Sequence, residues 1–237
     1  MGRILSICLL VLALSACDKG HEPYVFTANV ASYSNIFGFD PIQGSVKSLT
    51  QKMLDAKGDT YSEVHAEINE DGCFTTLQIQ TPAQDVDLDY VKEGNYLIDN
   101  KTKEKQLVLN EKCNITQTAS GNVNVLINDK GFVTDVKMFE SGVTKKHYDY
   151  DDNGFPVVDI SYDNGKTFKI VTELDAKGQH PFNYKTKIYE DDKPVLSTRR
   201  ECKTDSHGNP ASCKIESLDP EGKVIEIYTA IYETEYY

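Results

Sequence analysis

Apolar and polar residues alternate along much of this chain with a period of two, the pattern of half-buried strands. Thr75, Leu77 and Ile79 take one side and Phe74, Thr76 and Gln78 the other. Segments of about 5–9 residues, rich in β-branched and aromatic types, have the length and content of strands. They are punctuated by one recurring turn, Asp or Asn followed three residues later by Gly. It occurs at Asp55–Gly58, Asn69–Gly72, Asn128–Gly131, Asp151–Gly154, Asp175–Gly178, Asp205–Gly208 and Asp219–Gly222. The carboxylate or amide accepts local backbone hydrogen bonds and the glycine takes the left-handed position, so each reads as a bulged hairpin turn. Val46–Leu54 and Tyr61–Ile68 read as two strands on either side of such a turn, and no segment keeps a helical period over three turns. From Gly154 onward the chain reverses about every 11–15 residues, too often for parallel crossovers. The expected fold is all-β: an antiparallel meander of consecutive hairpins forming a coiled sheet or sandwich-like domain.

Two segments modify that picture. Val224–Tyr232 is apolar on both alternating faces and is expected to be buried on both. The polar stretch 114–121 reads as a long loop or a link between two lobes. The layout expected is residues 1–16 as signal peptide, 17–25 as a lipidated cysteine and short tether, and 26–237 as one β domain, with a possible division near 114–121.

The start of the chain departs from the strand pattern. Arg3 precedes the apolar run Ile4–Leu14, which is too short to span a bilayer and ends in Leu14-Ser-Ala-Cys17. This has the form of a bacterial lipobox, in which Cys17 is acylated and becomes the first residue. Several acyl chains anchor stably where one would not. Asp18 resembles the signal that keeps enterobacterial lipoproteins in the inner membrane. The expected location is therefore the inner membrane, facing the periplasm, with the outer membrane as the alternative.

Cleavage after residue 16 leaves 24 basic and 37 acidic residues, a net charge of −13. That field disfavours nucleic acid and adhesion to anionic lipid as partners. Four of the six cysteines then remain for the fold: Cys73, Cys113, Cys202 and Cys213. In an oxidising compartment they imply two disulfides, with three connectivities open. The hairpin register narrows the choice. If the chain reverses between His207 and Gly208, Cys202 faces Cys213, and Cys73 is left for Cys113.

Chemistry is sparse. Asp149–Gly154 fits the first half of a calcium loop, but the twelfth position is Ile160 where a carboxylate is needed. The five histidines are dispersed, and no nucleophile elbow, zinc-protease motif or phosphate loop is present. No catalytic residue, metal or cofactor is expected. Tyr228, Tyr232 and Tyr236 share one face of the last strand and form either a binding surface or a half-buried core face.

Phe26-Thr-Ala-Asn-Val-Ala-Ser-Tyr-Ser-Asn35, Phe37-Gly-Phe-Asp-Pro41, Gly44-Ser-Val-Lys47, the four cysteines, Asp205-Ser-His207 and terminal Tyr236-Tyr237 resemble the enterobacterial YnfC-type lipoproteins. The resemblance runs over essentially the whole chain. It implies a lipid-anchored envelope protein and no particular activity. The function expected is a non-catalytic binding or scaffolding module, with an envelope protein or glycan as partner. The alternatives are a wall- or glycan-directed hydrolase using carboxylates and a protective protein that binds a toxin.

Overall fold

The computed structural model describes residues 25–174 and 181–237. One α-helix, α1 (Ala28–Phe37), precedes sixteen strands, and Pro82–Gln84 form a short 3-10 turn. These are β1 (Val46–Leu54), β2 (Thr60–Ile68), β3 (Phe74–Thr81), β4 (Val86–Glu93), β5 (Tyr96–Asp99), β6 (Lys105–Leu109), β7 (Ile115–Thr118) and β8 (Val123–Ile127). The second half comprises β9 (Val133–Met138), β10 (Thr144–Tyr150), β11 (Pro156–Asp163), β12 (Lys166–Leu174), β13 (Tyr184–Glu190), β14 (Lys193–Thr204), β15 (Pro210–Leu218) and β16 (Val224–Tyr236). Each strand pairs with the next, and β16 returns to β1, so the meander closes into a barrel.

The turn chemistry explains the regularity. In six of the seven Asp/Asn-x-x-Gly turns the glycine amide donates to the carbonyl of the first residue, at 2.9–3.2 Å. The seventh, Asp175–Gly178, lies outside the described residues. An eighth turn has the same form with cysteine in the glycine position: Cys113 sits at φ 62° and its amide donates to Asn110.

Three expectations need correction. The chain is not strand and turn throughout, because residues 28–37 form α1. Thr27 caps its start by accepting from the Val30 amide, and left-handed Gly38 ends it by donating to the Ser34 carbonyl. The stretch 114–121 is not a long loop, because it contains β7, bonded to strands on both sides. Its seam with β8 is nonetheless thin, a single register pair, Gln117 with Asn124. Finally, β16 is not buried on both faces. Ala230 and Tyr232 point inward, while Ile225 is 51% exposed and Ile231 41%.

Helix α1 and residues 38–45 fill one end of the barrel, where antiparallel alternation gathers the turns at 69–72, 110–113, 128–131, 151–154 and 205–209. The Phe26 amide donates to Asn153, the Asn29 side chain donates to the Gly72 and Lys112 carbonyls, and the Tyr33 hydroxyl donates to Cys113. Tyr33 stacks on Phe74 at 4.3 Å. Around this plug Leu49, Ala66, Leu77 and Leu97 are fully buried, and Phe26, Phe155 and Phe182 form a second cluster. The outer face carries cross-strand ion pairs, among them Lys52–Glu63 at 3.5 Å and Lys187–Glu173 at 2.6 Å.

The structure contains two disulfides, Cys73–Cys113 and Cys202–Cys213, and Cys202 stands directly opposite Cys213 in the β14–β15 register. The first clips together two turns that grip α1. It spans 40 residues against 11 for the second. Loop entropy alone makes its loss cost about 4 kcal/mol against about 3 for the hairpin bridge. Urea denaturation of the two paired Cys→Ser variants is expected to show that order; a reversed order would mean that loop entropy does not govern these bridges.

Candidate functional site

The plug is locked by a buried ion pair. Asp40, just past α1, receives both arms of the Arg200 guanidinium from β14, at 2.5 and 2.8 Å. Arg200 also donates to the hydroxyls of Tyr184 and Tyr232, and Tyr232 in turn donates to Asp40. The Gln51 side chain accepts from the Asp40 amide. The guanidinium Nε and Nη2 also lie 3.2 Å from the sulfurs of Cys202 and Cys213 respectively. Burial pushes the Asp40 carboxyl up, but the Arg200 charge and hydrogen bonds outweigh it and hold Asp40 ionised, below the usual carboxylate range.

Beside this lock lies a cavity of about 200 Å³ between the end of α1 and the inner face of β11–β13. Phe39, Phe155, Val158 and Ile170 make it largely apolar, and Asn35, Asp40, Asp159 and Tyr184 bring polar groups to its wall. Asp40 has both oxygens engaged. Asp159 does not: its Oδ1 is buried without a partner, as is the Asn35 amide nitrogen. Burial raises the Asp159 carboxyl, and the Lys146 charge opposes this only in part. A hydrolase working through two carboxylates needs both free to act on the scissile bond. Here one of the two is saturated by Arg200.

Asp159 binds its proton more tightly folded than unfolded. Its contribution to stability is therefore full below the unfolded carboxylate pKa and is lost as pH rises through the folded value. Asp159→Asn, the same shape without the charge, is expected to stabilise the protein at pH 7 by about 1 kcal/mol, the low end for a buried unsatisfied group. The gain should vanish near pH 3. A loss of stability at pH 7 in urea melts would show that the carboxylate has a partner after all.

At the opposite mouth a second recess of about 550 Å³ lies between the β1–β2 turn and the start of β16. Tyr61 and Tyr228 pack together with centroids 5.0 Å apart, and Val224, Ile225 and Ile227 supply an apolar wall. Asp55 and Lys57 stand at its rim. The Tyr228 hydroxyl donates to Glu226 at 2.7 Å; desolvation and that carboxylate push the phenol up to about 12, so it stays protonated. The volume falls in the range of ligand sites. Beyond the recess Ile231 continues the exposed apolar line along β16.

These observations place the sequence-derived residues. Cys17 lies outside the described residues. Tyr228, Tyr232 and Tyr236 do share a face, but the structure separates their surroundings. Tyr228 borders the recess, Tyr232 is 6% exposed and belongs to the Arg200 lock, and Tyr236 stacks on His207 at 3.7 Å and bonds Asp205 and Asn209. Asp40, Arg200, Asn35, Asp159 and Tyr61 were not assigned to a site from the sequence. One signal was available: after Arg3 the chain has only Arg199 and Arg200 among its cations, the rest being lysine. Arginine is the favoured cation for buried bidentate pairs.

Comparison with known proteins agrees with this architecture. A porin-like protein from Bacteroides uniformis superposes with a TM-score of 0.54 at 14% identity, over 80% of this chain and 98% of that one, a likeness of fold alone. The UPF0257 lipoprotein YnfC of Salmonella typhi is 30% identical over 239 residues, covering all of both chains. Its counterpart in Escherichia coli K12 is 31% identical over 232 residues, 97% of each. All 237 residues match the sequence profile of one uncharacterised family, and on that match and these relatives the protein belongs to the family UPF0257.

Proposed function

We propose that the protein is a lipid-anchored module of the bacterial envelope that holds an extended apolar segment of another envelope protein. Acylation of Cys17 provides the anchor, Asp18 retains it in the inner membrane, and the barrel faces the periplasm. The path of the chain carries this reading. Phe26 is bonded into the 151–154 turn at the plugged end, and eight residue steps separate Cys17 from Val25. A fully extended tether of that length reaches about 30 Å. The plugged end is thus tied near the bilayer, and the apolar recess opens at the other mouth. An extended occupant suits the elongated line Ile225, Ile227 and Ile231. Both edges of β16 are already paired, so the contact is through side chains and not by strand addition.

Site-specific photocrosslinking in intact cells tests this. A benzophenone residue at position 227 is expected to give a discrete protein adduct that Tyr228→Lys abolishes. Position 187, on the charged outer face, should give none. Equal labelling at 187 and 227, or adducts to lipid alone, would overturn the assignment. Fatty-acid labelling that survives Cys17→Ser would overturn the anchor separately.

A further inference from the structure

We propose that the cavity behind α1 binds a small amino alcohol, with Asp159 as counter-ion to its ammonium and Asn35 donating to its oxygen. Three observations converge on this chemistry. The cavity wall holds one unengaged carboxylate, because Asp40 is saturated by Arg200 and Tyr232 while Asp159 Oδ1 is buried with no partner. Lys146, on neighbouring β10, acts on Asp159 through its charge but forms no ion pair with it among the described residues. A buried carboxylate left in this state favours a cation that can enter beside it. The buried Asn35 Nδ2 in the same wall lies near the Tyr150 hydroxyl but makes no well-formed hydrogen bond, so it is a donor that an alkylammonium alone would not engage and an oxygen on the ligand would. Between them the apolar surfaces of Phe39, Phe155 and Ile170 suit a short carbon chain, and about 200 Å³ excludes anything of drug size. Phe155 and Tyr184 add aromatic faces of the kind that attract ammonium groups.

Such a site also accounts for the presence of a carboxylate that weakens the fold at neutral pH, since groups held against stability are characteristic of binding and catalytic sites.

Calorimetric titration at pH 7 with three probes of matched length decides the matter. 4-Aminobutan-1-ol is expected to bind saturably. Butane-1,4-diol, which lacks the cation, and butylamine, which lacks the oxygen, should each bind at least tenfold more weakly. Asp159→Asn should reduce the affinity for 4-aminobutan-1-ol at least tenfold while its melting temperature stays at or above that of the parent. Equal binding of the diol, or undiminished affinity in Asp159→Asn, would overturn the charge assignment. Equal binding of butylamine would overturn the role of Asn35. The probe comparisons on the unaltered protein hold even if the variant fails to fold.

Discussion

Arg200→Met is expected to destabilise the protein by about 3–5 kcal/mol, the cost of leaving a buried carboxylate without its partner. The side chains of Arg200 and Asp40 are only 5% and 11% exposed, so water cannot take over the role of the missing guanidinium. Adding Asp40→Asn should recover part of the loss, because the double variant no longer buries a bare charge. The pH dependence changes sign as well. In the parent, Asp40 is held below its unfolded pKa, so its contribution is full above that value and is lost as pH falls through the folded one. In Arg200→Met burial outweighs the hydrogen bonds that Tyr184 and Tyr232 still give Asp40, and stability should rise as the carboxyl is protonated. Urea midpoints of the parent, both single variants and the double variant at pH 5 and 7 check each point. Strictly additive losses would show that the two residues do not act as a pair.

Gly154→Ala is the second large effect expected. Gly154 sits at φ 81°, where a side chain is strained, and a Cβ there would lie 2.7 Å from the Phe132 ring and 2.9 Å from the Phe26 carbonyl oxygen. The ring can move, but the carbonyl belongs to the segment that ties the plug to the 151–154 turn. Gly165 has nearly the same backbone angle, φ 80°, with nothing within 4 Å of a Cβ. Gly165→Ala should therefore cost about 1 kcal/mol from backbone strain alone, and Gly154→Ala about 3 kcal/mol or more. Thermal melts showing equal losses at the two positions would mean that the plug yields without cost.

The meander of hairpins was legible in the sequence where its cause is local, whereas its closure into a barrel, in place of a coiled sheet or sandwich, was not. An Asp or Asn side chain and a glycine three residues on suffice to make a turn, so the hairpins could be placed from single segments. The register that opposes Cys202 to Cys213 follows from one such turn. The Asn110–Cys113 turn escaped because cysteine stands in the glycine position. Helix α1 escaped because ten residues are too few to establish a period, although its caps, Thr27 and Gly38, are plain once their roles are known. On β16, isoleucine at outward positions suggested burial, and composition alone does not distinguish a buried face from an exposed apolar one. The site residues were harder still. Asp40 and Arg200 are 160 positions apart, and no spacing rule links them. Asp159 is notable for a missing partner, which only the packed fold reveals.

The seam between β1 and β16 joins the first strand to the last, Val46 opposite Tyr236. Every other strand pairing is between sequence neighbours, and fourteen of the sixteen seams do not involve β16, so they can form before the last strand is made. A chain cut short before residue 224 has no means of closing. It would present the bare edges of β1 and β15, two strands of nine residues with unpaired backbone groups, the usual template for aggregation. Such a fragment also lacks Tyr232, one of the groups that saturate the Arg200–Asp40 pair. Completeness of the polypeptide is thus built into the topology as a condition for solubility, and premature termination or C-terminal clipping should be eliminated as insoluble product.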